Sequence, residues 1–556
     1  MSDGRVRAAA KNRALVWTAT ACITVSLLIM VVMAAAGPSV SVPDMAHPLA
    51  GPPYWFTWNP SPALTLLILW AAGLTAAAGV AAGLVAVTRG WRPPVKRLLG
   101  ASFLVIAAFT VLPPAGSTDA LSYAIDGNMV VLRHSPYVMT PGELLRAYPN
   151  DPIAQNSPPT WLHSLSDYGP LATAEEWISA ELGGTSKARI TFWLKLWTAV
   201  SYGFVVLLLD RLLRSDPAMR LRAHLLWSLN PLLLWEIVAA GHIDGLAVAF
   251  GLAGIAVLRV REPGADPGLR RSLAAGMLIG AAMAVKAPFI LFALGAVWAL
   301  RRRLSSLGAL VAGMLAVVIP SYAIAGTAAV TALTNRSSQV TWDNLYQLFW
   351  RPFGYTRFYG GTAPPHLDTL ATVAFVAVAL LAFFRLPSRT PELPALAPSL
   401  ALSLGWIFLW PFMRPWYDVM IIALLALYPA SRLDWVVLTR LCFAAVTYME
   451  ATSASGWLQR LQIYDGQWVT SSVRLLAVVA LVWLCVTGRW GWRSTPGESP
   501  AAAPELQPII DTALSTVRIH SPPVRAEWQR PPAASEHGPF RRGKRPPPVS
   551  WRTMCG

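Results

Sequence analysis

Long apolar runs separated by short basic connections set the pattern of this chain. They fall at 14–36, 62–88, 97–113, 191–213, 221–240, 242–259, 272–285, 287–300, 305–326, 366–385, 396–412, 416–429, 434–452 and 468–487. Several approach or exceed the roughly 18–20 residues that cross a bilayer as helix. The pattern therefore predicts an all-α polytopic membrane protein, a bundle of about 14 membrane helices. The stretch 272–300 reads as a hairpin of two short helices turning near Lys286-Ala287-Pro288. Each arm of about 14 residues reaches only about 21 Å at 1.5 Å per residue, short of the roughly 30 Å hydrocarbon core. Lys286 then becomes a cation inside the membrane.

Longer polar connections fall at 37–61, 114–190, 327–365 and 453–467. They carry Trp, Tyr, Pro, Asp and His rather than runs of Lys and Arg. In the largest, 114–190, an amphipathic helix is predicted from Asp119 to Leu132, with Leu121, Ala124, Ile125, Val131 and Leu132 on its apolar side. Such a helix suits the membrane interface, as do Trp161, Trp177 and Trp193.

Charge fixes the expected sidedness. Arg89 to Arg97, Arg211 to Arg222, Arg259 to Arg271, Arg301 to Arg303, Arg385 with Arg389, Arg432 with Arg440, and Arg489 with Arg493 all fall on one side if the segments alternate. The basic amino terminus falls there too. By the positive-inside rule this side is cytoplasmic, with both termini on it and the large connections extracytoplasmic. The chain is 55% hydrophobic and 13% charged, against about 25% charged for soluble domains. Its net charge of +17 is read as membrane anchoring through anionic lipids, and no nucleic-acid partner is expected. Residues 1–488 read as the membrane-embedded domain and 489–556 as a disordered, basic, Pro-rich cytoplasmic tail. The first run, after Arg5, Arg7, Lys11 and Arg13, is read as a retained signal anchor. Cys22, Cys442, Cys485 and Cys555 show neither disulfide nor metal spacing. No metal site and no cofactor are predicted, and a metal requirement is left open.

Polar residues on the extracytoplasmic side define the candidate chemistry. Asp119 follows the run 101–112 and Pro113-Pro114, where hydrocarbon gives way to water. An ionisable group at that depth marks function by default, and a carboxylate there is suited to be a general base. Lys286 and Arg414 are cations suited to a departing phosphate. Tyr123, Trp416 and Tyr417 are suited to sugar faces, and His242 and Asp244 follow Asn230-Pro231 and Glu236. Each has a structural alternative. Asp119 caps the helix after it, His242 and Asp244 satisfy one another, Lys286 snorkels or pairs with Glu236 or Asp244, and Trp416 and Tyr417 belong to an interfacial belt.

Five segments resemble the polyprenol-phosphate-mannose-dependent α-1,6-mannosyltransferases, integral-membrane enzymes of the GT-C type. They are PPAGSTDALSYAIDGNMVVLRHSPY (113–137), SPPTWLHSLSDYGPL (157–171), NPLLLWEIVAAGHIDGL (230–246), AMAVKAPFIL (282–291) and RPWYDVM (414–420), in the family's order. The resemblance implies a GT-C bundle with Asp119 as catalytic carboxylate. It implies donor or acceptor binding at His242, Asp244, Lys286, Arg414, Trp416 and Tyr417. It also implies a polyprenyl-phosphate mannose donor, a lipid-linked glycan acceptor, and an α-1,6 linkage made with inversion. The alternatives are a transporter or flippase of a lipid-linked sugar, and a related enzyme using arabinose or glucose on the same carrier.

Overall fold

The structure is a computed structural model and describes residues 2–45, 51–336, 340–341, 344–350, 366–387, 390–448, 456, 460 and 465–491. The tail from 492 onward, and parts of the connections at 327–365 and 453–467, lie outside the described residues.

The apolar runs become helices. The chain opens with α1 (Ser2–Ala35), α2 (Pro62–Thr88) and α3 (Val95–Thr110). The large polar connection holds α4 (Asp119–Val131), α5 (Pro141–Ala147) and α6 (Pro170–Gly183), and α7 (Lys187–Leu212) follows. Then come α8 (Pro217–Ala223), α9 (Pro231–Leu234), α10 (Asp244–Val257), α11 (Leu269–Val285), α12 (Ile290–Leu300) and α13 (Leu304–Ala325). The remainder is α14 (Thr327–Arg336), α15 (Gln347–Trp350), α16 (Leu367–Arg385), α17 (Leu396–Leu409), α18 (Val419–Leu427), α19 (Leu433–Tyr448) and α20 (Ser471–Thr487).

This is a multi-pass membrane protein. Among the described residues, six helices are long and apolar enough to cross a bilayer: α1 from Asn12, α2, α7, α13, α16 and the Trp468–Thr487 stretch containing α20. Leu67, Leu207, Ile319, Val373 and Leu476 point outward from them, as lipid-facing side chains do. The other runs form shorter or broken helices, so full-length crossings are fewer than the apolar runs. The clearest case is 221–240, expected as one segment. It breaks at Asn230-Pro231, where Pro231 has no N–H to continue the ladder and the Asn230 side chain accepts from Leu232 N at 3.2 Å. Wide, π-type turns at His224–Ser228 and Trp235–Ala239 flank the break. The Pro231–Ala239 piece then meets α10 at a bend of 112°.

The hairpin at Lys286 is present. Gly276 packs on Leu310 and Gly313 while Gly280 packs on Met314, so α11 and α13 run in the same direction. The chain between them must return, and α12 carries it back. A Cβ on Gly276 would stand 2.0 Å from the Leu310 carbonyl oxygen; such small residues let helix backbones touch inside a membrane. At the far end Asp266 meets Ser306 at 2.6 Å and Arg303 at 3.8 Å. Arg271 and Arg303 therefore share one end, as the sequence predicts.

The apolar side expected on α4 is present, but protein rather than lipid covers it. Asp119 to Ala120, Leu121, Tyr123 to Met129 are all buried, against α6 and α7. Gly127 permits this closeness, since a Cβ there would stand 2.2 Å from the Glu176 carbonyl oxygen.

Candidate active site

Four breaks in regular structure meet at one end of the bundle. The first follows α3, where Lys195 of α7 donates to the carbonyls of Phe109 (2.6 Å), Leu112 (2.7 Å) and Pro113 (2.9 Å). These bonds use all three ammonium protons and fix the helix end that leads into Gly116-Ser117-Thr118-Asp119. Thr118 is the helix cap and Asp119 the first residue inside α4. Asp119 is thus not the capping residue itself. It accepts from Trp161 Nε1 at 3.1 Å and lies 3.7 Å from His242 Nδ1.

The second break is Gly241-His242-Ile243, the bend ahead of α10. Gly241 adopts φ +79°, and a Cβ there would meet Lys195 Cγ at 2.9 Å. The turn drops His242 beside Asp119 and places Asp244 toward α11. The fully buried His242 ring stacks on Trp416 with centroids 3.7 Å apart, and its Nδ1 is 3.5 Å from the Tyr123 hydroxyl. His242 and Asp244 do not satisfy one another.

The third break is Lys286, held extended between α11 and the turn into α12. Its ammonium donates to both carboxylate oxygens of Asp244 at 2.8 Å, so of the two partners predicted for it Asp244 is the one it takes. The same nitrogen sits 4.0 Å above the Tyr417 ring and 5.2 Å from that of Tyr168. Tyr168 arrives there because Gly169 N donates to the Val285 carbonyl at 2.9 Å. A Cβ on Gly169 would lie 2.1 Å from the Ala284 carbonyl oxygen, so the strap requires glycine. Tyr168 and Tyr123 share a hydrogen bond of 2.9 Å. Burial raises the Tyr123 phenol well above its ordinary range, and Tyr168 and Asp119 beside it raise it further. Both phenols stay protonated and act as neutral hydrogen-bond groups.

The fourth break is Arg414 followed by the turn Pro415–Asp418. Arg440, expected with Arg432 on the cytoplasmic side, is instead buried inside α19 and pairs with Asp418 at the end of that turn, which pins Trp416 and Tyr417. Arg414 lies 4.9 Å from the Tyr448 ring and 5.3 Å from the Phe412 ring.

These elements enclose a cleft of about 510 Å³, counting its open mouth. Asp119, Tyr123, Arg414, Trp416 and Tyr417 line it, together with Trp161, Tyr168, Asp126 and Asp167. Five of the eight residues predicted from sequence therefore share its wall. His242, Asp244 and Lys286 form a buried layer in contact with that wall, through Trp416, Asp119 and Tyr417. Trp161 and Tyr168 were not among the predicted site residues, although both lie in the segment 157–171. No group of three or more His, Cys, Asp or Glu side chains suited to a metal occurs among the described residues. In α6, behind α4, burial holds the Glu175 carboxyl up to about 8. Burial raises Glu176 as well, and nearby Asp126 raises it further.

The cleft lies opposite the Arg-bearing connections. α10 begins at the site with Asp244 and ends next to Arg259. α11 begins with Arg270 and Arg271 and ends at Lys286, and α18 begins after Asp418 and ends before Arg432.

Residues 21–302 match the family model described as the alpha-(1->6)-mannopyranosyltransferase N-terminal domain, MptA_B family. A probable alpha-(1->6)-mannopyranosyltransferase of Mycolicibacterium smegmatis is 28% identical over 167 residues, which is 30% of this chain and 29% of the relative. Less than a third of that relative is therefore spanned. Among solved structures, ArnT from Cupriavidus metallidurans bound to undecaprenyl phosphate aligns with a TM-score of 0.34 and 16% identity, over 71% of this chain and 78% of that one.

Proposed function

This chain belongs to the alpha-(1->6)-mannopyranosyltransferase MptA_B family, and from that premise we propose that it transfers a mannosyl residue from a polyprenyl phosphate to a lipid-linked glycan. The linkage is α-1,6, and the reaction takes place on the extracytoplasmic face. The observation that carries the reading is the pairing of a buried carboxylate, Asp119, with a buried cation, Arg414, across one aromatic-lined cleft. A positive-inside orientation supports the face, since the Arg-bearing connections lie at the other end of α10, α11 and α18.

The chemistry is a single displacement. The acceptor hydroxyl oxygen bonds to the mannosyl anomeric carbon as the bond from that carbon to the phosphate oxygen breaks. The bonding pair leaves with the phosphate, and the hydroxyl proton passes to Asp119. Attack opposite the leaving group inverts the anomeric centre. Arg414 meets the growing phosphate charge with its planar fork. Lys286 adds positive potential from behind Tyr417. Tyr123, Trp416 and Tyr417 pack on the sugar, while His242 and Asp244 hold Asp119 and Lys286 in place.

The test uses the full chain in lipid nanodiscs with polyprenyl-phosphate-[³H]mannose and a mannan-type acceptor. Asp119→Asn is expected to lower transfer by about 10²–10⁴-fold, the usual weight of a general base, while donor binding persists. Transfer by Asp119→Asn at the wild-type rate would remove the base assignment. Movement of the lipid across vesicles without any glycoside would replace the enzyme with a flippase.

A further inference from the structure

A second cavity, of about 860 Å³ counting its open mouth, lies on the other flank of the Asp119 turn. Ser117 and Thr118 line it, whereas Asp119, the next residue, lines the cleft with Arg414. The rest of its polar wall is Ser39, Ser41, Asp44 and Asn59, set among prolines at 38, 43, 60 and 62. We propose that this cavity is the acceptor-glycan subsite, which deepens the transferase reading and rests on it.

The wall is a built structure. Residues Ala36–Gly37 pair in parallel with Phe56–Thr57, which closes the 37–61 connection at its base. Tyr54 N donates to the Val111 carbonyl at 2.8 Å, and Gly116 N donates to the Ser41 carbonyl at 2.8 Å. The connection is thereby stitched to the same turn that carries Asp119. Lys187, at the start of α7, donates to the Asp44 carbonyl at 2.6 Å and to Asn156 Oδ1 at 2.7 Å.

The lining chemistry selects the ligand. Among the described lining residues there is one carboxylate, Asp44, and no basic side chain. The Arg414 cleft, with a guanidinium in its wall, suits a phosphate better than this one does. Hydroxyl, carboxamide and carboxylate groups offer both donors and acceptors, and the prolines contribute carbonyls without an N–H. That mixture suits a neutral polyhydroxyl ligand. The cavity's enclosed part, about 350 Å³, lies at the lower end of the roughly 300–1,000 Å³ of small-molecule sites. The geometry also meets the reaction's demand for two substrates. The phosphate donor lies on the Arg414 flank of the turn, with Asp119, and the neutral glycan on the flank of Ser117 and Thr118, one and two residues before the base.

Asp44 and Asn59 are exposed, so Asp44→Leu and Asn59→Leu alter the cavity without touching the core. Two measurements on the full chain in nanodiscs test the assignment. The first is saturation-transfer NMR with α-1,6-linked mannotriose as probe, and the second is the KM for that acceptor against the KM for the polyprenyl-phosphate donor. Each variant is expected to weaken mannotriose binding and raise the acceptor KM by about fivefold or more, the weight of one net hydrogen bond, with donor KM held. If wild type transfers mannose and both variants keep acceptor KM within about twofold, or if donor KM rises in step, the cavity is not the acceptor subsite. If wild type makes no glycoside yet mannotriose binds and the variants lose it, the transferase reading fails and the cavity stands as a glycan site.

Discussion

The pair Lys286–Asp244 separates a structural cation from a working one. Both side chains are buried, at 7% and 1% exposure. The ammonium bonds both carboxylate oxygens at 2.8 Å. Removing either partner leaves an uncompensated buried charge, which costs about 3–5 kcal/mol. Lys286→Met and Asp244→Val should each destabilise the protein by that amount. The double variant carries no orphan charge. It loses in addition the ammonium over the Tyr417 ring at 4.0 Å, worth about 1–2 kcal/mol when desolvated. It should therefore lie only about 1–2 kcal/mol below wild type, leaving a coupling of several kcal/mol in the double-mutant cycle. Chemical unfolding in micelles reads the stability, and transfer from labelled donor reads the activity. If Lys286 contributes potential to the departing phosphate, the double variant regains stability while transfer stays about tenfold or more below wild type, equivalent to about 1.4 kcal/mol of lost transition-state stabilisation. A stable double variant with wild-type transfer would confine Lys286 to a structural role. A double variant no more stable than the singles would mean that the two charges do not depend on one another.

Three further perturbations probe the surroundings. Trp161→Phe removes the 3.1 Å bond to Asp119 and keeps the ring; a hydrogen bond to a charged group carries about 1.5–3 kcal/mol, so kcat should fall about tenfold or more at saturating donor, and an unchanged kcat would show that Trp161 does not hold the carboxylate. Gly169→Ala places a Cβ 2.1 Å from the Ala284 carbonyl oxygen; thermal unfolding should register the roughly 1–3 kcal/mol of overpacking, and a wild-type Tm would mean the strap does not need glycine. Glu175 holds its proton to about 8 when folded, against an ordinary 4.5, so the folded state binds more protons than the unfolded one between those values. Its contribution is full below about 4.5 and declines by about 1.4 kcal/mol per pH unit until about 8; Glu175→Gln should flatten that decline in Tm-against-pH curves, and parallel curves would refute it.

Helices and their ends were legible in the sequence because both are local properties. Apolar runs, Pro231, the Lys286-Ala287-Pro288 turn and the Arg-bearing connections each leave a mark within a few residues. The site was legible in part. Asp119, Tyr123, Arg414, Trp416 and Tyr417 were singled out by polarity at a membrane boundary and by the resemblance, and all five line the cleft. Trp161 was read only as an interfacial aromatic. Its bond to Asp119 spans 42 positions, and no periodicity reports a contact at that distance. Tyr168 stands out in the sequence only as part of the segment 157–171, for the same reason. Its signal was Gly169, a residue whose need for close approach becomes visible only once α11 is packed beneath it.

Helix interruption is the common cause of the site's geometry. An unbroken α-helix satisfies its own backbone and turns its side chains outward, so it cannot gather five segments around one cleft. Here each contributing residue has a Gly or Pro within three positions: Gly116 before Asp119, Gly241 before His242, Pro288 after Lys286, Gly169-Pro170 after Tyr168, and Pro415 after Arg414. The backbone groups freed by such breaks must be satisfied inside the protein at membrane depth. Lys195 does this for three carbonyls at the end of α3, and it does so with a charge that has no other task in the cleft. The polar content of this end is thus divided between two duties. Lys195, the Asn230 cap and the Gly169–Val285 bond keep broken backbone satisfied, which leaves Asp119 and Arg414 facing the cleft. That division is why the bundle of a chain 55% hydrophobic can hold a base and a cation at one end without the rest of its polar groups competing for them.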